Sequence, residues 1–145
     1  MAITPINNLK NIIDKLKSKF KTEFGSSLRV YLGHENEAKG SQYLQLNPVS
    51  NTLLEYASFA ETREYNIDMI CYSARKNIDT KSLENVYRMV ARIEALIHDN
   101  ITMTLADSTQ AYDCKIESTT YNTQDDEEKY VVTMNFNCKH TGNVA

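Results

Sequence analysis

Residues 130–139 read YVVTMNFNCK, and the fold follows from how that stretch is understood. Tyr130, Val132, Met134, Phe136 and Cys138 alternate with Val131, Thr133, Asn135 and Asn137, the period of two that belongs to a β-strand with one buried face. Upstream, Tyr112, Cys114 and Ile116 alternate with Asp113, Lys115 and Glu117, so the two runs are expected to pair as an antiparallel hairpin. Its tip, Asn122 to Lys129, carries four consecutive acids, Asp125, Asp126, Glu127 and Glu128.

Working back along the chain, Tyr65, Ile67, Met69 and Cys71 form another alternating face. Ile70 and Tyr72 on the opposite side mark this as a central strand covered on both faces near its end. The strand pattern extends from Leu53 to Ala74, with a break expected at Glu61 to Arg63. Leu28, Val30 and Leu32, and then Leu44 and Leu46, read as two shorter half-buried strands, the second ended by Pro48. Between them the polar segment Gly33 to Gln42, with two glycines, reads as an exposed loop.

Two helices complete the set. Ile6, Leu9, Ile13, Leu16 and Phe20 recur at steps of three and four, widened by Ile12. Thr4 is placed as cap, Pro5 as first helical residue and Gly25 as terminator. Leu83, Val86, Val90, Ile93 and Ile97 repeat the spacing behind a cap at Asp79 or Thr80, with an end near His98 to Asn100. Residues 101–110 show weak periodicity and are assigned as connection. The reading is a single domain over residues 1–145: α+β, an antiparallel or mixed sheet with two α-helices packed on it.

Composition bounds the function. With 145 residues, 41% apolar and 24% charged, the chain is sized and composed like one globular domain. A net charge of −3 argues against a broad basic face for nucleic acid, and no sequence-specific nucleic-acid binding is expected. Lys10, Lys15, Lys17, Lys19 and Lys21 read as the solvated side of the first helix, with contact to a phosphate or an acidic neighbour as the alternative. No apolar run is long enough to span a membrane and the N-terminus lacks a secretory layout, so a cytoplasmic protein is expected, with Cys71, Cys114 and Cys138 as reduced core thiols.

The residues of catalysis were sought in turn. Four glycines form no phosphate-binding loop. His34, His98 and His140 lie far apart, and His140 beside Cys138 reads as the end of an edge strand rather than a metal ligand, so no metal and no cofactor are expected. His34, Glu35 and Glu37 sit in a glycine-flanked polar loop that offers little burial to tune a carboxyl. The acidic tip lacks the spacing of an EF-hand. The chain is read as a non-enzyme that works by assembly.

The order of elements, with NIDMICYSAR, NIDTKSLENVYRMVARIEALI, DCKIEST and YVVTMNFNCK at 66–75, 77–97, 113–119 and 130–139, resembles the tail-terminator proteins of long-tailed phages. The resemblance implies an α+β virion subunit that forms a homo-oligomeric ring of six, caps the tail tube, and meets tube and neck proteins. It makes the loop residues His34, Glu35, Glu37 and Lys39 and the tip residues Asp125, Asp126, Glu127 and Glu128 candidates for the assembly interface. Neck or head-completion connectors share size and ring-forming habit and are the second reading. A cytoplasmic module binding a small ligand between sheet and helix is the third, and needs a preformed apolar pocket.

Overall fold

The computed structural model describes residues 7–25, 28–32, 42–57, 60–74, 80–124 and 129–142. Eight elements follow one another: α1 (Asn8–Phe24), β1 (Arg29–Leu32), β2 (Gln42–Tyr56), β3 (Glu61–Ala74), α2 (Thr80–Asp99), β4 (Met103–Thr104), β5 (Gln110–Gln124) and β6 (Lys129–Gly142). The strands make one mixed sheet in the order β1-β2-β3-β6-β5-β4, parallel between β1 and β2 and antiparallel elsewhere. The α+β reading holds, and β3 is central as its two-sided pattern requires.

The sheet buries one face against both helices. On β3 the core takes Tyr65, Ile67, Met69 and Cys71, and on β6 it takes Val132, Met134, Phe136 and Cys138. Ile67 lies directly opposite Phe136 and Met69 opposite Met134. Ile12, Ile13, Leu16 and Phe20 of α1 and Val86, Val90, Ile93 and Ile97 of α2 close over that same face. A stripe of about a third of each helix surface is thereby removed from water, as the three-and-four spacing dictates.

Several local readings change. Asn7 caps α1, its side chain accepting the Lys10 amide at 3.0 Å; the helix therefore begins three residues later than a Thr4 cap implies, and Thr4 and Pro5 lie outside the described residues. Gly25 ends it at φ 60° and ψ −130°, positive but not the left-handed helical well, with its amide bonded to the Lys21 carbonyl. Leu28 is buried and Val30 packs on the core in the expected phase, but Leu32 at the end of β1 is exposed and Tyr31, on the opposite face, is buried. Pro48 does not end β2. The strand absorbs it at a register shift between Pro48 and Ser50 and runs on to Tyr56, a placement open to proline where the outer edge has no strand to bond. The break then falls after Tyr56, not at Glu61 to Arg63, which are part of β3.

The 101–110 connection contains β4, which pairs with the start of β5 and buries Met103 and, just beyond it, Leu105. In β5 a shift between Tyr112 and Lys115, with Asp113 at φ 54°, resets the alternation, so Ala111 and Cys114 are the buried pair instead of Tyr112 and Cys114. His140 is not at an edge: β6 is interior, and the imidazole is buried.

Candidate assembly surface

The loop candidates His34, Glu35, Glu37 and Lys39 and the tip candidates Asp125, Asp126, Glu127 and Glu128 lie outside the described residues. Their borders are placed. The β5–β6 ladder continues to Gln124 opposite Lys129, and β1 ends at Leu32 while β2 starts at Gln42.

What sequence reasoning missed is the exposure of β2. β1 covers only Tyr43 to Leu46, and from Pro48 to Ala57 every residue is exposed. Val49, Leu53, Leu54 and Tyr56 are 57%, 45%, 44% and 76% accessible. On the other side of the sheet β4 covers only the first two residues of β5, after which Ile101 and His98 take the Cys114 and Ile116 amides. Beyond them Tyr121, 55% accessible, stands edge-on to Tyr87 of α2 at 5.3 Å. The signal available in sequence was the Leu53–Leu54 pair, which puts apolar side chains on both faces at once.

The helix-free face of the sheet is polar and interlocked. Asn137, 1% accessible, donates from Nδ2 to Asn66 Oδ1 at 2.6 Å and Glu64 Oε1 at 2.9 Å. Asn66 donates to Ser50 Oγ at 3.2 Å, Asn135 donates to Asp68 at 3.2 Å, and Gln45 is buried beside Asn47. Towards β1 the face becomes aromatic, with Tyr43 stacked on Tyr72 at 4.7 Å and edge-on to Tyr31 at 5.9 Å. Burial and the neighbouring phenols raise the Tyr43 hydroxyl above its ordinary value.

The described titratable groups form small structural sets. Thr109 Oγ1 donates to Asp107 Oδ1 at 2.6 Å and lies 2.8 Å from His140 Nε2, tying the turn after β4 to β6. Burial lowers the His140 pKa, and the bond from the Thr109 hydroxyl lowers that of Asp107. The three cysteines are buried and free. Cys138 donates to Cys114; that bond raises Cys138 and lowers Cys114, while burial pushes Cys71 up to about 12. Among the described residues no helix is long and apolar enough to cross a membrane.

On the lysine face of α1, Lys10 and Lys21 are exposed and Lys15, Lys17 and Lys19 half-buried, with Lys10 paired to Asp14 at 2.8 Å. At the end of α1 a cavity of about 400 Å³ is lined by Lys17, Lys21, Gly25, Leu28, Arg29 and Tyr31 among others. The three cations Lys17, Lys21 and Arg29 share its walls with the apolar Leu28, Val30 and Tyr31.

No protein-family model matches the chain, and no curated protein matches it in sequence. Its fold has solved counterparts. A chain in a structure titled as the virion of a native gene transfer agent particle superposes with a TM-score of 0.65 at 7% identity, covering 92% of this chain and 97% of that one. A second solved chain matches over 94% of both at TM-score 0.57 and 14% identity. At such identities the likeness is one of fold.

Proposed function

We propose that this protein is a structural component of a tailed-phage-type particle and acts there as a tail terminator: a homo-oligomeric ring, six subunits by resemblance, that caps the tail tube and offers a surface to the neck. The observation that carries the reading is the end-to-end fold likeness to a chain of a gene transfer agent virion, with nearly all of both chains used. Two stretches of exposed apolar side chain on partly uncovered strands are consistent with a subunit that finishes its surface by assembly. The role is proposed as architectural, without catalysis.

Native mass spectrometry of the full chain, alone and with tail-tube protein, tests this. A discrete oligomer that halts tube growth is the expected result. A monomer that leaves tube polymerisation unchanged refutes it, and an oligomer that binds portal-side proteins but not the tube moves the role to the neck. Within the ring, neutralising Asp125, Asp126, Glu127 and Glu128 to Asn and Gln is expected to preserve the circular dichroism spectrum and to weaken assembly, because interfacial charge sets register and partner choice. Unchanged assembly across a range of salt reduces the tip to a solubilising feature.

A further inference from the structure

The sheet has two partly uncovered edges, and they match each other. On one side β2 has no outer strand partner from Asn47 to Tyr56, past the end of β1, among the described residues. On the other, β5 has no strand partner beyond Ala111 on its outer side among the described residues, and the bonds from Ile101 and His98 stop at Ile116. Edge strands are ordinarily guarded by charged side chains, prolines or bulges. Neither 47–56 nor 117–124 contains a lysine or arginine; the guards they carry are Pro48, Glu55 and two register shifts on β2, and Glu117 beside a register shift on β5.

The apolar side chains fall in the same places. Of the eight large hydrophobics exposed among the described residues, Val49, Leu53, Leu54 and Tyr56 are on the bare part of β2, and Tyr121, with Tyr87 against it, is on the bare part of β5. Leu53 lies opposite Arg63 and Tyr56 opposite Glu61, in phase with Tyr65 and Ile67, so both are on the helix side of the sheet. Tyr121 lies opposite Val132 and is on the helix side as well. Two apolar sets on one face, at opposite edges, can meet only between copies.

We infer that the bare half of β2 in one subunit pairs antiparallel with the bare half of β5 in the next, head to tail, so that Leu53 and Tyr56 pack against Tyr121 and Tyr87 and the sheet runs on from subunit to subunit. The inference rests on the ring-forming reading above and names the surface that makes the ring. The strand directions suit it, since β2 and β5 run oppositely within the sheet and a rotated copy presents an antiparallel neighbour. A heterologous contact of this kind closes into a ring or propagates as a filament according to its geometry.

The register fixes how the two edges must slide to meet. Leu53 aligns through Arg63 with His140, whereas Tyr121 aligns with Val132, so setting Leu53 opposite Tyr121 offsets the edges by eight residues along the strands, ~26 Å at ~3.3 Å per residue. All the register shifts recorded in the sheet lie in β2 and β5, none between β3 and β6, and such bulges add local twist.

The test is a cross-link on the full chain. Leu53→Cys combined with Tyr121→Cys, under mild oxidation by copper–phenanthroline, is expected to give a ladder of covalent multimers ending at the ring size seen by native mass spectrometry. Each single variant should give none. Leu53→Lys, a fully solvent-compatible change on a side chain already 45% accessible, should keep the circular dichroism spectrum and reduce assembly at least about tenfold. A parent protein that stays monomeric overturns the ring reading and this inference together. A parent that assembles, with no ladder from the double variant, overturns this inference alone, as does a dimer from Leu53→Cys by itself, which would show β2 pairing with β2.

Discussion

Phe136 and Asn137 are neighbours in β6 that face opposite sides of the sheet, and truncating each to alanine reads the two faces separately. Phe136 has no accessible surface and lies between Ile67 of β3 and Ile116 of β5, under the helices. Removing a buried phenyl costs about 3–5 kcal/mol, of the same order as the whole stability of many domains. Asn137 contributes no apolar packing of that size. Its alanine variant instead strips Asn66 Oδ1 and Glu64 Oε1 of donors held at 2.6 and 2.9 Å, for which about 1–3 kcal/mol is expected because those acceptors stay partly shielded from water. Asn135→Ala, which loses one 3.2 Å bond to Asp68 on a half-buried side chain, should cost under about 1 kcal/mol. Urea unfolding followed by circular dichroism gives the three differences, provided the slope with denaturant is unchanged. The order Phe136, Asn137, Asn135 is the expected outcome. A neutral Asn137→Ala would show that the polar face is hydrated and loose rather than an interlocked network, and a mild Phe136→Ala would mean that β6 sits one residue out of register.

Two further predictions concern titratable groups. Burial lowers the His140 pKa, so the folded state favours neutral imidazole; its contribution is full above the unfolded value near ~6.5 and is lost as pH falls below it, and the melting temperature should drop more between about pH 7.5 and 5.5 in the parent than in His140→Gln. Equal drops would place the pH response elsewhere. Cys71, pushed up to about 12 by burial, and Cys138, raised by its bond to Cys114, should leave the native protein unreactive to an aromatic disulfide reagent at about pH 8, with all three thiols released on unfolding; a stoichiometric disulfide in the non-reduced mass would overturn this.

The parts of the fold readable in the sequence are those whose burial repeats with a local period. Ile67, Met69 and Cys71, or Met134, Phe136 and Cys138, face one core for their whole length because β3 and β6 have a strand on each side and two helices over one face. Where burial comes from cross-strand neighbours, the local pattern fails. Asn137 is polar by composition yet 1% accessible, because Glu64 and Asn66 on the adjacent strand take its amide, and Gln45, as deeply buried, lies between Ile70 and Tyr31 with its amide on Asn47. Pro48 looked like a terminator because proline cannot donate into a ladder, but β2 has a ladder on one side only at that point, so nothing is lost there.

The same asymmetry explains why the charged loops stand out in the sequence and the exposed part of β2 does not. Apolar residues in a strand pattern are assigned to a core by default, and Leu53 and Tyr56 are in the correct phase to face one. They stand on the part of β2 that β1, four residues long, does not pair with. A strand of 15 residues beside a partner of four must leave most of its outer edge bare, and β5, also 15 residues long beside the two-residue β4, must do the same at the other side. One long strand at each side, each capped by a short one at opposite ends, gives an offset pair of edges from length alone. On the proposal above, the bare stretches of β2 and β5, neither carrying a lysine or arginine, cover each other in the assembly.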